Sequence, residues 1–261
     1  MRQWIWMALF ITGTAGAADA VPDATAATAP ATATTAAASD AATDAVIALL
    51  KTGSVDFDVA WHGFPLGSAT VTLSATDVRG CYKYESVTRP VGPVRWLYGS
   101  PHEISLFCIK DGVIRPSHYQ YSIDKRSDDS FTLDFDWANR TVKTVKAGKT
   151  TVRDLPDVAY DRFSVQQAIR LWILQQSDTT TRQEKVFNTV DDKDINPYRF
   201  AILGHEKIDT PAGSFDTVRV DRVDSPTRST HSWVAPARDD HVVKVESINR
   251  GDVELSMVIS K

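Results

Sequence analysis

Charge of one sign is in short supply. The 261 residues carry 29 Lys and Arg against 33 Asp and Glu, a formal net charge of -4, and the basic residues are scattered among the acids. No electrostatic footprint for a phosphate backbone results, so nucleic acid is excluded as a partner. Long hydrophobic runs are equally scarce: the one near the start, ending at Ile11, is about half of the roughly 20 residues that a bilayer span requires. The mature chain is therefore expected to have no transmembrane segment. Metal and nucleophile motifs are missing as well. The six histidines, His62, His102, His118, His205, His231 and His241, never stand at ligand spacing, and neither Cys-x-x-Cys nor His-x-x-x-His occurs. A metal would need a spatial cluster of distant residues, and no cofactor is implied. Gly-x-Ser-x-Gly is absent too, and Gly67-Ser68 and Gly213-Ser214 read as turns. No repeat of fixed period argues for a propeller or solenoid.

The N-terminus has Arg2 before the short apolar run, then the small-residue sequences Ala15-Gly16-Ala17 and Ala18-Asp19-Ala20. That is the pattern of a cleaved secretory signal over residues 1–17. Residues 18–52 are rich in Ala and Thr and read as a flexible tether, with Asp44 to Lys51 able to close it as a short helix before Gly53. Residues 53–261 then form a single β-rich domain, long enough to bury about 70% of its extended-chain surface.

Period-2 alternation dominates that domain. Val55, Phe57, Val59 and Trp61 share one face; Ala69, Val71, Leu73 and Ala75, then Phe131, Leu133, Phe135 and Trp137, then Val253, Leu255, Met257 and Ile259 repeat the rhythm. Turn residues such as Ala147-Gly148, Pro211-Ala-Gly213 and Asn249-Arg-Gly251 separate the runs at hairpin spacing. Against this background Asp161 to Gln176 stands out as one helix. Val165, Ala168, Ile169, Trp172 and Ile173 make its apolar arc, Phe163, Leu171 and Leu174 extend it, and Gln166, Gln167 and Arg170 leave a narrow polar strip. Asp161 or Ser164 can cap it, Ser164 with Gln167 fitting a capping box. A helix so apolar needs cover on most sides. The chain therefore reads as mainly β, a curved antiparallel sheet or open β-barrel of about a dozen strands wrapped round a central helix at 161–176. Trp172 and Ile169 are expected against inward residues such as Phe135 and Trp137, with the helix touching strands of both halves.

Cys81 and Cys108 flank two strand-like runs and fall opposite one another if that hairpin folds about Val94 and Arg95. In an exported chain this favours a disulfide over two buried thiols, and closing a loop of about 28 residues contributes roughly 3.6 kcal/mol. The register puts Lys83 and Glu85 on the face of Leu106 and Ile104, which a bulge would relieve. Between the cysteines, Arg95-Trp96-Leu97-Tyr98 is an aromatic tip that either touches lipid or a partner, or folds back on the core.

Four stretches, in order, carry a family resemblance: Trp61-His-Gly63 with Leu66-Gly67-Ser-Ala-Thr, Tyr160-Asp-Arg-Phe-Ser164, Gly204 to Val218 with its Thr-Pro-Ala-Gly, and Trp233 followed by Val243-Lys-Val245. Over roughly residues 55–260 the chain resembles the exported proteins of the domain of unknown function 3108 family. The resemblance implies a periplasmic β-rich domain of a Gram-negative bacterium and no catalytic residues. The cysteine pair and the tether are not part of its common pattern.

Three functions compete. The first is a non-enzymatic, monomeric binder or carrier of an apolar or amphipathic, lipid-like molecule, with Arg170, Trp172, Trp137 and Trp61 as its site; Arg170 pairs with an Asp, meets an anionic head, or snorkels to solvent. The second is a scaffold for another envelope protein, through a strand edge or the Trp96-Leu97-Tyr98 tip. The third is a hydrolase built from distant Asp and His residues, with Asp154, Asp157 and Asp161 as carboxylate candidates that serve equally as a loop and a helix cap.

Overall fold

The computed structural model describes residues 32–260; the expected signal sequence lies outside them. Fourteen strands form one antiparallel sheet that does not close, accompanied by three helices. The order along the sheet is β8-β7-β6-β5-β4-β3-β2-β1-β14-β13-β12-β11-β10-β9. The chain starts at the centre with β1 (Gly53–Trp61) and runs outward through β2 (Phe64–Ala75), β3 (Cys81–Pro90), β4 (Pro101–Lys110), β5 (Val113–Ile123), β6 (Phe131–Asp136), β7 (Thr141–Lys146) and β8 (Lys149–Asp154). It then crosses to the opposite edge and returns through β9 (Gln183–Val190), β10 (Ile195–Thr210), β11 (Gly213–Arg222), β12 (Arg228–Ala235), β13 (His241–Asn249) and β14 (Asp252–Ile259). Every neighbouring pair but one is a hairpin. The exception, β1 with β14, joins the halves through Phe57–Ile259, Val59–Met257 and Trp61–Leu255.

The crossing carries α3 (Ser164–Leu174). Phe163, at its start, sets its ring 5.1 Å from Tyr84 on β3 and 6.3 Å from Tyr119 on β5. Trp172, near its end, meets Phe187 of β9 edge-on at 5.9 Å. The helix thus packs on both halves of the sheet, with Phe187 rather than Phe135 or Trp137 as the ring neighbour of Trp172. Phe135 and Trp137 stack on each other at 6.0 Å, and Ile169 is only half-buried. The expected polar strip is a correction: Gln167 and Arg170 are buried, because the chain covers that side of the helix too.

Edge strands β8 and β9 approach at one end without a continuous ladder. Tyr160 makes a parallel bridge to Thr189, accepting from Val190 N–H (2.7 Å) and donating to Asn188 O (2.9 Å). Arg153 of β8 donates to the carbonyl of Asp191 at 2.7 Å, and Lys146 of β7 pairs with Asp192. Side chains replace hydrogen-bonded strands at this seam.

Before the sheet lies α1 (Thr32–Leu49), which starts well ahead of Asp44 and so takes in part of the stretch expected to be flexible. Tertiary contacts explain the difference. Val46 and Leu50 join the main core, Asp44 pairs with Arg79 at 2.8 Å, and Thr43 Oγ1 accepts from Gly112 N–H at 3.3 Å. Gly112 has a φ of +72°, and a Cβ there would stand 3.3 Å from that of Ala42; small residues on both sides permit the close approach.

Cys81 and Cys108 form the disulfide and pair directly across β3 and β4. Tyr82, Tyr84 and Ser86 point inward, so Lys83, Glu85, Ile104 and Leu106 share the half-exposed outer face with the disulfide. The β3–β4 register needs no bulge.

Candidate binding cleft

The turn Tyr160-Asp-Arg-Phe-Ser164 builds the floor of a cleft between the start of α3 and the sheet. Asp161 Oδ1 accepts the N–H groups of Phe163 (2.8 Å) and Ser164 (2.9 Å), and its Oδ2 accepts the hydroxyls of Ser105 (2.7 Å) and Ser164 (2.9 Å). Ser164 Oγ in return accepts Asp161 N–H at 2.9 Å. The reciprocal cap is therefore Asp161 with Ser164, not Ser164 with Gln167. Burial raises the Asp161 pKa even against these donors.

Arg162 is thereby turned under the sheet. It is buried, pairs with Asp191, and lies 5.1 Å over the Phe131 ring. Burial works against its charge, but Asp191, Tyr119 and Glu103 outweigh it and raise its pKa. Its Nε is buried without a hydrogen-bond partner. Glu103, on β4, accepts from the Tyr119 hydroxyl; burial raises its pKa, opposed by Arg162 and that hydroxyl. Gln166 accepts from Tyr84 Oη at 3.3 Å and donates to Arg162 O at 3.3 Å.

Above this polar floor the walls are apolar: Phe57 and Val59 of β1, Ala69 and Val71 of β2, Val245 of β13, Leu255 and Met257 of β14. The cleft volume is about 90 Å³. Its existence explains why Leu255 and Met257, inward by alternation, stay only half-buried. Beside this wall lies α2 (Gly92–Tyr98), whose Val94 packs against the cluster of Val59, Leu66 and Ala69. Trp96 and Leu97 point away, 77% and 56% exposed. The Arg95–Tyr98 tip is thus helical, and Trp96 and Leu97 do not fold back on the core.

Of the residues expected to form the site, none lines this cleft. Trp61 comes nearest, packed against the cluster of Val59, Leu66 and Ala69, its Nε1 buried without a partner. Trp172 is core. Trp137 donates to Pro116 O at 2.7 Å and carries Arg115 over its ring at 4.6 Å, in a separate depression beside Cys108. Arg170 neither snorkels nor stands at a rim: it is 3% exposed, and donates to Lys51 O (3.1 Å), Gln167 Oε1 (3.3 Å) and Asp239 O. Burial lowers its pKa, partly offset by Tyr84, Asp240 and Asp239. It bolts the segment after α1 and the β12–β13 turn to α3. Asp154, Asp157 and Asp161 do not converge; Asp157 is exposed and pairs with Arg140 at 2.8 Å, while Asp161 is fully buried. Among the described residues no three His, Cys, Asp or Glu side chains gather as a metal site. Several histidines instead meet single carboxylates, His102 with Glu85 and His118 with Asp134, each at 2.7 Å.

The family model described as "Protein of unknown function (DUF3108)" matches residues 56–258. No curated protein matches the sequence. Among solved structures, a crystal structure from Bacteroides fragilis, described as a candidate exported protein with a YmcC-like fold, is 12% identical with a TM-score of 0.36, covering 80% of this chain and 93% of that one.

Proposed function

This chain belongs to the DUF3108 family, and we propose that it is a non-enzymatic, monomeric binder of an amphipathic molecule on the outer side of the cytoplasmic membrane, in the periplasm. The observation that carries this reading is the contrast inside the cleft: apolar walls from β1, β2, β13 and β14 above a floor holding Arg162, Glu103 and Gln166. Binding sites combine such walls with a few placed polar groups. Arg162, which lines the floor and is paired with Asp191, supplies a positive charge towards which a ligand acceptor would turn. At about 90 Å³ the cleft admits one short apolar segment or ring, so a ligand places its acceptor on the floor and one apolar portion along Val59, Ala69 and Met257. The disulfide between Cys81 and Cys108 fits an oxidising compartment, as does the signal pattern at residues 1–17.

A thermal titration with short- and medium-chain carboxylic acids and alcohols tests the reading. At a hundredfold excess over Kd, linkage gives about 2.7 kcal/mol of stabilisation, a rise of about 5–10 °C for a domain of this size. Ala69→Leu, which fills the cleft from β2, abolishes the rise. A midpoint that ignores the whole panel refutes the reading.

A further inference from the structure

Four large apolar side chains lie exposed on two adjoining tips: Phe64 (71%) after the β1–β2 turn, and Val91 (54%), Trp96 (77%) and Leu97 (56%) at α2. Val91 N–H donates to Leu66 O at 2.9 Å, and Val94 and Trp61 both pack against the cluster of Val59, Leu66 and Ala69, so the tips form one rim. A single exposed apolar residue is ordinary, but four on one rim mark an interaction surface. The charge pattern identifies what it meets. Residues 86–102 hold Arg89 and Arg95 and no Asp or Glu, and residues 59–76 hold no Asp, Glu, Lys or Arg, in a chain with 33 acidic residues. The carboxylate residues that touch this stretch are few and already engaged: Asp124 accepts Ser100 N–H at 2.7 Å, Asp56 accepts the Thr70 hydroxyl that Arg89 also reaches, and the carbonyl of Glu254 accepts His62 N–H at 3.0 Å. Arg95 is exposed in the last turn of α2 and makes no ion pair among the described residues, while Arg89 is exposed and donates to Thr70 Oγ1 at 2.8 Å. Trp, Leu and Phe beside Arg, on stretches that themselves hold no acid, match the interface of an anionic membrane, where rings and aliphatic tips sit among headgroups and guanidinium groups meet phosphates.

We propose that this rim docks the protein on the surface of an anionic lipid bilayer, with Phe64, Trp96 and Leu97 inserted among the headgroups and Arg89 and Arg95 on the lipid phosphates. The docking does not depend on the cleft holding a ligand. The test is sedimentation of the mature chain with vesicles of phosphatidylcholine alone or mixed with phosphatidylglycerol. The wild type is expected to sediment with the mixed vesicles and to bind phosphatidylcholine about tenfold more weakly. Trp96→Ser with Leu97→Ser should weaken binding to mixed vesicles about tenfold or more, at an unchanged thermal midpoint. Arg95→Glu should weaken binding to the mixed vesicles only. Absence of sedimentation, or equal sedimentation of wild type and Trp96→Ser/Leu97→Ser, overturns the proposal. So does a dimer in light scattering that the double variant dissolves without any vesicle binding, which would make the rim a contact between two copies.

Discussion

Arg162 and Asp191 form a buried ion pair, their side chains 9% and 1% exposed, between the turn into α3 and the residue that follows β9. The pair fixes the helix start against the far edge of the sheet and orients the cleft floor. Removing one partner leaves the other charge buried and uncompensated. Asp191→Ala is therefore expected to cost about 3–5 kcal/mol in urea unfolding. A loss under about 1 kcal/mol would mean that Arg162 finds water or Glu103 instead.

Glu103 gives a pH dependence of known sign. Its folded pKa is raised by burial above the ordinary value of 4.5, so above that value the unfolded chain releases a proton that the folded chain keeps. Stability then falls as pH rises from about 4.5 until the folded pKa is passed. Glu103→Gln, which retains an acceptor for Tyr119, removes this slope. Urea unfolding between pH 4 and 8 should show the variant gaining on wild type with rising pH; parallel curves would exclude the raised pKa.

The disulfide spans 27 residues of sequence. Cys81→Ala with Cys108→Ala is expected to lose roughly 3.6 kcal/mol by release of the closed loop. Unfolding curves of both forms, with intact mass before and after alkylation, measure this. Two free thiols in exported protein would contradict the bond.

Trp172 tests whether α3 is a core element. It is 6% exposed and edge-on to Phe187, and Trp172→Ala should cost about 3–5 kcal/mol. A loss below about 1 kcal/mol would place the helix at the surface.

Local signals made much of this fold readable. Alternation found the inward faces of β1, β2 and β6, turn residues found the hairpins, and symmetry about Val94 and Arg95 placed Cys81 opposite Cys108. The pairing of β1 with β14 had no such signal, because it joins the two ends of the sheet across nearly the whole domain. The strand count came out at about a dozen rather than fourteen for a related reason: the exposed edge strand β8, Lys149–Asp154, has no buried residue to set a period. Arg170 misled because its partners come from Lys51 and Asp239, 119 and 69 residues away, whereas helical periodicity reports only one element's own faces. Arg162 has no local signal as a site residue for the same reason: it stands in the stretch that carries the family resemblance, and its partners Asp191 and Glu103 belong to opposite halves of the sheet.

The central claim is that the space between α3 and the sheet is a ligand site. The most direct measurement is extraction with organic solvent of protein purified from the periplasm without detergent, followed by mass spectrometry. The account predicts an amphipathic molecule near one equivalent per chain in the wild type and its loss in Ala69→Leu of unchanged fold. An empty wild type whose thermal midpoint ignores added amphiphiles, or equal recovery from Ala69→Leu, would contradict it.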